Sequence, residues 1–106
     1  MLIDSHCHLN DPQFQTDQKE VLERAKAMGV EQVVCVGYDL ASSLGAEALA
    51  RQHPDIYAVI GVHPHDARLV KEQTYSILKR TAQSPRVVAI GETGLDYFRN
   101  HSPHDL

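Results

Sequence analysis

Two histidines separated by one residue, His6 and His8, stand near the start of the chain, directly after the apolar pair Leu2 and Ile3. The apolar pair predicts a short strand, and side chains at i and i+2 of an extended chain project from the same face. The two imidazoles would then lie side by side, with Cys7 turned away. Imidazole is the commonest side-chain ligand of transition metals, so the pair predicts half of a metal site. The alternative is one capping or core histidine and one exposed histidine, because histidine is common in loops.

A second pair with the same spacing, His63 and His65, lies in the segment Gly61-Val62-His63-Pro64-His65. Pro64 fixes its own φ and biases the residue before it away from helix, so both rings are held on a stiff extended turn. These histidines could bind a metal, or lie beside it and contact an anionic substrate. An ordinary turn with two solvated histidines remains the alternative.

A carboxylate stands in a similar position at Glu92, within Gly91-Glu92-Thr93-Gly94-Leu95-Asp96-Tyr97. Glu92 follows an apolar run directly and lies between glycines, which let a backbone approach a ligand closely. Its side chain could be a metal ligand, a general base or a helix cap. We expect Asp96 to anchor the loop and Tyr97 to pack over it.

Four apolar runs punctuate the chain and are nearly continuous rather than alternating, which is typical of parallel strands covered on both faces. They are Leu2-Ile3, 32–36, 56–60 and 87–90. Three helices are predicted between them: one opened by a capping box at residues 17–20 and running through Met28, one at 42–52 and one at 74–83. The residues predicted to face inward are Val21, Leu22, Ala25 and Met28 in the first helix, Leu44, Ala48 and Leu49 in the second, and Ile77, Leu78 and Ala82 in the third.

The resulting βαβαβαβ order places the unusual polar residues just after strands: the first histidine pair, Gly37 and Asp39, the second histidine pair, and Glu92. Ligand sites of parallel α/β folds lie at the carboxyl ends of the strands, and in (β/α)8 TIM barrels almost without exception. We therefore predict an α/β fold comprising the first four strands of a TIM barrel. Residues 1–106 would be the N-terminal half of one domain, with the remaining strands outside this chain.

Composition and charge argue against several classes of protein. The net charge of -4 argues against a simple nucleic-acid-binding module, although it argues less against an enzyme whose metal ions supply positive charge. Two cysteines do not make a disulfide framework, and no apolar run approaches membrane-spanning length. These observations predict a cytoplasmic protein with no membrane partner.

The three blocks 2–10, 61–65 and 91–97 together resemble the TatD family of metal-dependent deoxyribonucleases, which are amidohydrolase-like TIM barrels. The resemblance implies hydrolysis of DNA phosphodiester bonds with two divalent metal ions, of Mg²⁺, Mn²⁺ or Zn²⁺. It also implies that His6 and His8 bind one ion and that Glu92 bridges the two. His63 and His65 would lie beside the site, around the phosphate.

The end of the chain departs from the family pattern, in which later strands supply two more histidines and an aspartate. His101, His104 and Asp105 follow Glu92 too closely to replace those ligands, and we expect the tail to be disordered. Two alternatives stay open. One is another amidohydrolase-like reaction, such as hydrolysis of an ester, lactone or amide. The other is an inactive half-barrel that self-associates through open strand edges.

Overall fold

Strands and helices alternate along the chain, and the computed structural model describes residues 1–106. The strands are β1 (Leu2–Cys7), β2 (Val30–Val36), β3 (Ile56–Ile60) and β4 (Val87–Ile90), and the helices are α1 (Gln18–Ala27), α2 (Leu40–Gln52) and α3 (Glu72–Thr81). Short 3-10 helices at Pro12–Phe14 and Pro64–Leu69 follow β1 and β3. The four strands are parallel and lie in the order β1-β2-β3-β4. The predicted βαβαβαβ order is confirmed. No helix has the length and apolar character needed to cross a bilayer.

The core lies between one face of the sheet and α2, with α1 packed at its margin. Its buried cluster consists of Leu9, Val33, Cys35, Ala46, Leu49, Ala50, Ile56 and Ala58. Alanines on α2 let this helix approach the central strands closely. Ile56 is fully buried, and such a side chain contributes about 1.5–3 kcal/mol through removal from water.

The two outer strands are exposed within this chain, so the coverage on both faces that their apolar composition indicates is not present here. Leu2 and Ile3 on β1 are 59% and 53% exposed, and Val88 and Ile90 on β4 are 55% and 61% exposed. β1 and β4 each have only one neighbouring strand. Apolar composition therefore marks these strands correctly but does not predict their burial within this chain.

The sequence predicts the packing of α1 better than it predicts the ends of this helix. Val21 and Leu22 pack against the core as expected. Asp17 is the N-cap residue but its side chain makes no capping hydrogen bond, so the predicted capping box is wrong. Met28 is 80% exposed rather than inward, because it is the C-cap residue at which the chain leaves the helix. Gly29 follows with a φ of 91°, the left-handed conformation that ends many helices.

The second helix begins two residues before its predicted start. Asp39 caps it: its carboxylate accepts hydrogen bonds from the backbone N–H of Ser42 at 2.7 Å and from the Ser42 hydroxyl at 2.6 Å. Asp39 is therefore a helix cap at the end of β2. Leu44 is 40% exposed where it was predicted to face inward, and Ser43 is fully buried instead. The third helix also begins two residues early, and its predicted inward residues Ile77, Leu78 and Ala82 are only half-buried.

Arg86 lies at the amino-terminal end of the sheet, just before β4. Its guanidinium donates to carbonyl oxygens at the end of α2 and the start of β3, those of Ala50, His53, Pro54 and Ile56. The same group lies over the Tyr57 ring, 4.4 Å from its centroid. One side chain thus ties the turn between α2 and β3 to the start of β4 and supplies donors to carbonyls at a helix end.

Candidate metal centre at the strand ends

Three predicted ligands converge at the carboxyl ends of β1 and β4. One ligand atom from each of His6, His8 and Glu92 lies within 4.8 Å of the other two. We call these three residues the strand-end cluster. Nε2 of His6 is 3.8 Å from Oε1 of Glu92, and the two imidazole rings meet edge to face with centroids 5.1 Å apart. The sequence separates His6 from Glu92 widely, and the parallel sheet brings them together.

The orientation of His8 is set by a backbone carbonyl. Its Nδ1 lies 2.9 Å from the carbonyl oxygen of Val36 at the end of β2. Because a carbonyl oxygen only accepts, Nδ1 carries the proton and Nε2 keeps its lone pair for a ligand. Asn10 donates to the same carbonyl at 3.5 Å and to the carbonyl of Ser42 at 2.9 Å. The sequence did not predict that the carbonyls of Val36 and Ser42 accept these hydrogen bonds, because every residue has a backbone carbonyl.

Cys7 points to the opposite side of β1, as the alternation of side chains predicts. Its sulfur is 3.6 Å from the sulfur of Cys35, which is fully buried in the core. The hydrogen bond with Cys35 lowers the pKa of Cys7 to about 7. The same contact, with burial, raises the pKa of Cys35. Cys7 is therefore part of the core margin, not of the strand-end cluster.

The donor set of the strand-end cluster fits a divalent metal ion. Two imidazoles and one carboxylate are ligands shared by Zn²⁺, Mn²⁺ and related ions. Ligand bonds of about 2.0–2.2 Å place two ligands of one ion at most about 4.4 Å apart, which is close to the spacing observed here. His6 is exposed, and His8 and Glu92 are half-buried, so the ligand atoms remain accessible.

The second histidine pair lies beside this cluster rather than in it. His63 and His65 line a cleft of about 250 Å³ that Glu92 also lines. Nδ1 of His63 accepts the backbone N–H of His65 at 3.1 Å, and the backbone N–H of His63 donates to the carbonyl of Tyr38 at 2.7 Å. The two rings meet with centroids 4.2 Å apart. His63 and His65 thus share a cleft with Glu92 and supply none of the three ligand atoms of the cluster.

Asp96 anchors the loop after β4, as predicted. It is 7% exposed, and its two carboxylate oxygens accept the backbone N–H groups of Arg99 at 2.7 Å and His101 at 2.8 Å. Burial alone would raise the pKa of Asp96, but these backbone donors outweigh it and lower the pKa to about 2. Nε2 of His65 lies 3.6 Å from the same carboxylate. Tyr97, expected to pack over the loop, is 68% exposed, and its ring lies tilted against that of His104 with centroids 4.0 Å apart.

The tail is folded against the segment after β3, so the expectation of disorder is wrong. Ser102 is 5% exposed; its hydroxyl donates to the carbonyl of His65 at 2.8 Å and accepts the backbone N–H of Arg68 at 3.2 Å. The ring of His101 lies 4.8 Å from that of His65, and His104 contacts the Asp96 carbonyl. None of His101, His104 and Asp105 belongs to the strand-end cluster.

A buried serine that sequence reasoning missed fixes the spacing of the strand ends. The hydroxyl of Ser43 donates to the carbonyl of Gly61 at 2.9 Å and accepts its N–H at 3.0 Å, which ties α2 to the end of β3. A Cβ on Gly37 would lie 2.4 Å from the Ser43 oxygen, and one on Gly61 would lie 2.2 Å from the Gly91 oxygen. Only glycine allows these close approaches. The histidine segment after β3 and the Glu92 segment after β4 are positioned by them.

Parallel strands in sequential order, helices on one face and a His/Glu cluster at the carboxyl ends define a protein of the TIM-barrel class. The sequence profile of the family described as "TatD related DNase" matches residues 3–106. The chain belongs to this family.

Individual relatives agree with the assignment. The chain is 45% identical over 106 residues to the "uncharacterized metal-dependent hydrolase YabD" of Bacillus subtilis, covering 100% of the chain and 42% of that protein. It is 42% identical over 102 residues to the "3'-5' ssDNA/RNA exonuclease TatD" of Erwinia tasmaniensis, covering 95% of the chain and 39% of that protein. The chain thus spans about two fifths of the length of these curated relatives.

Solved structures confirm the fold. The TatD homologue YjjV from Escherichia coli K12 superposes with a TM-score of 0.84 at 31% identity, covering 93% of this chain and 39% of that one. An uncharacterized amidohydrolase from Saccharomyces cerevisiae superposes with a TM-score of 0.69 at 25% identity, covering 93% and 38%. The four parallel strands and their helices match the first part of the TatD TIM barrel, which confirms the predicted fold class and family.

Proposed function

We propose that this chain carries part of the active site of a metal-dependent hydrolase that cleaves phosphodiester bonds in nucleic acid, with DNA as its substrate. The observation that carries the proposal is the strand-end cluster, in which His6, His8 and Glu92 offer three ligand atoms within 4.8 Å of one another. The family assignment supports it, as does the name of the Erwinia tasmaniensis relative as an exonuclease of single-stranded DNA and RNA.

In this proposal His6 and His8 would hold one divalent ion, and Glu92 would offer its carboxylate to that ion and to a second. The ions would lower the pKa of a bound water and polarise a phosphoryl oxygen. Val36 contributes through its carbonyl, which keeps the proton of His8 on Nδ1 and leaves Nε2 free. The donor set accepts Mg²⁺, Mn²⁺ or Zn²⁺.

His63 and His65 would contact the substrate phosphate from the wall of the adjacent cleft. The backbone N–H of His65 occupies Nδ1 of His63, so the Nε2 of His63 is the atom left to meet an anion. Asp96, whose carboxylate lies 3.6 Å from Nε2 of His65, would orient that ring. Asp96 is thus proposed as a positioning residue.

Metal content tests the ligand assignment separately from activity. We expect the double variant His6→Ala/His8→Ala to lose bound Mn²⁺ or Zn²⁺ in isothermal titration and by elemental analysis. His53→Ala is the matched control, because His53 is half-buried at the end of α2, remote from the cluster. The ligand assignment is wrong if the double variant binds as much metal as the control.

The carboxylate has its own test. Glu92→Gln keeps the side-chain shape and removes its charge, so we expect fewer bound ions in this chain. In a protein that joins this chain to the rest of the predicted barrel, we also expect loss of metal-dependent release of nucleotides from DNA. Glu31→Gln, at an exposed position on β2, is the control. Metal content and cleavage equal to those of the control would refute the bridging role. Substrate panels that include esters, lactones and amides distinguish the other amidohydrolase-like reactions.

A second candidate is self-association of the chain through its open sheet, favoured by the exposed apolar side chains of β1 and β4. We expect light scattering to show a dimer or larger species, and Ile90→Lys to return it to a monomer. Leu69→Lys is the control, because Leu69 is 58% exposed and lies outside the sheet. A wild-type monomer at micromolar concentration would contradict this candidate. That residues 1–106 form the N-terminal half of one domain and that the protein is cytoplasmic both stay predictions.

A further inference from the structure

An exposed aromatic pair stands beside the strand-end cluster on the loop of residues 95–99, which we call the aromatic loop. Phe98 is 85% exposed and Tyr97 is 68% exposed. Both line the cleft of about 250 Å³ that Glu92, His63 and His65 also line. Aromatic surface left in water costs hydrophobic free energy, so two such rings at the margin of a candidate catalytic cleft favour a ligand that covers them.

The aromatic loop is held in place although its rings are exposed. The buried Asp96 carboxylate binds the backbone N–H of Arg99 and of His101, and the buried Ser102 ties the following residues to the segment after β3. A loop whose backbone is already held in place lowers the ordering cost when a ligand binds. The aromatic loop therefore presents the two rings to a ligand with little change of its backbone.

One cation and two imidazoles stand near the rings, together with the carboxylates of Glu92 and Asp96, in a chain whose net charge is -4. The guanidinium of Arg99 lies 5.0 Å from the centroid of the Phe98 ring, and the imidazoles of His63 and His65 stand on the same cleft. Aromatic faces interleaved with cationic groups are the arrangement by which proteins bind single-stranded nucleic acid, stacking bases and tracking phosphates.

We infer that Phe98 and Tyr97 are a stacking platform for an unpaired base of a single-stranded nucleic acid whose phosphate reaches the strand-end cluster. The inference rests on the proposed function, because it takes nucleic acid as the occupant of the cleft. A base in a duplex is covered on both faces by its neighbours, so the platform accepts only an unstacked base and selects single strands. Since every base has an aromatic face, the platform has no strong sequence preference.

Tryptophan fluorescence tests the platform, because the chain contains no tryptophan. Phe98→Trp keeps an aromatic ring and introduces one fluorophore. Tyr75→Trp is the matched control, since Tyr75 is 62% exposed on α3, away from the cleft. Titration with short oligothymidylate in EDTA, which prevents metal-dependent cleavage, should quench Phe98→Trp and not Tyr75→Trp. The oligothymidylate paired with oligoadenylate should quench neither. Equal quenching of the two variants, or none with the single strand, overturns the inference.

Affinity provides the second measurement. Phe98→Leu keeps an apolar side chain and removes the aromatic face, and it should weaken binding of labelled oligothymidylate about tenfold. Phe98 is so exposed that this change leaves the core intact. Affinity equal to wild type overturns the platform while metal-dependent cleavage, if present, leaves the proposed function standing. Conversely, quenching of Phe98→Trp, combined with metal content that is unchanged in His6→Ala/His8→Ala, supports the platform and refutes the metal assignment of the proposed function.

Discussion

The hydroxyl of Ser43 offers a sharp test of how the strand ends are fixed. Ser43→Ala removes one oxygen from a fully buried position and introduces no larger group, so neither overpacking nor a cavity of consequence accompanies the change. The substitution leaves both the N–H and the carbonyl of buried Gly61 without their partner. A buried backbone group that loses its hydrogen bond costs about 1–3 kcal/mol, so we expect a loss of about 2–4 kcal/mol in the free energy of unfolding.

Urea denaturation followed by far-ultraviolet circular dichroism measures this loss. A slope of about 1–1.5 kcal/mol per molar urea for a small protein converts this loss into a fall of about 1–4 M in the urea midpoint. Ser76→Ala is the matched control: Ser76 is exposed on α3 and its hydroxyl donates to the carbonyl of Glu72, so we expect a change within about 0.5 kcal/mol. Faster hydrogen exchange at the Gly61 amide should accompany the loss. Equal midpoints for the two variants would show that Ser43 does not fix the strand ends.

Two further predictions concern the loop after β4 and the amino-terminal end of the sheet. The folded chain lowers the pKa of Asp96 to about 2 from an unfolded value near 3.9, so its stabilising effect is present above about pH 4 and is lost as the pH falls through 2. Thermal midpoints between pH 4 and pH 2 should therefore fall more steeply for wild type than for Asp96→Asn, with exposed Asp105→Asn behaving as wild type; parallel curves would contradict this. Arg86→Met keeps the aliphatic part of the side chain and removes the four hydrogen bonds to carbonyl oxygens. We expect urea denaturation to show a loss of about 2–4 kcal/mol in the free energy of unfolding. The control Arg24→Met, at an exposed position, should change it by less than about 0.5 kcal/mol. Similar midpoints for the two arginine variants would refute it.

The parts of the fold and site that follow local rules could be predicted from the sequence. Alternation along β1 places His6 and His8 on one side and Cys7 on the other, and the strand-end rule brings Glu92 to the same edge of the sheet. These inferences need only the alternation of side chains along a strand and the rule that ligand sites lie at the carboxyl ends of parallel strands.

Features that depend on distant partners could not be predicted. The carbonyl that orients His8 belongs to Val36, and any residue at that position would offer the same group. The polar tail is ordered because Ser102 meets the carbonyl of His65, a contact across 37 positions that composition does not encode. Leu44 faces outward because Ser43 is needed at the Gly61 contact, so a specific hydrogen bond takes precedence over the apolar stripe.

The order of the sheet has a consequence for the synthesis of the protein. Each strand pairs with the strand that left the ribosome just before it, so every pairing from β1 to β4 can form as the chain emerges. His6 and His8 stand at the first strand, whereas Glu92 follows the fourth. A nascent chain would therefore contain its two imidazoles well before the carboxylate is synthesised, and the strand-end cluster would be complete only after the sheet that supports it.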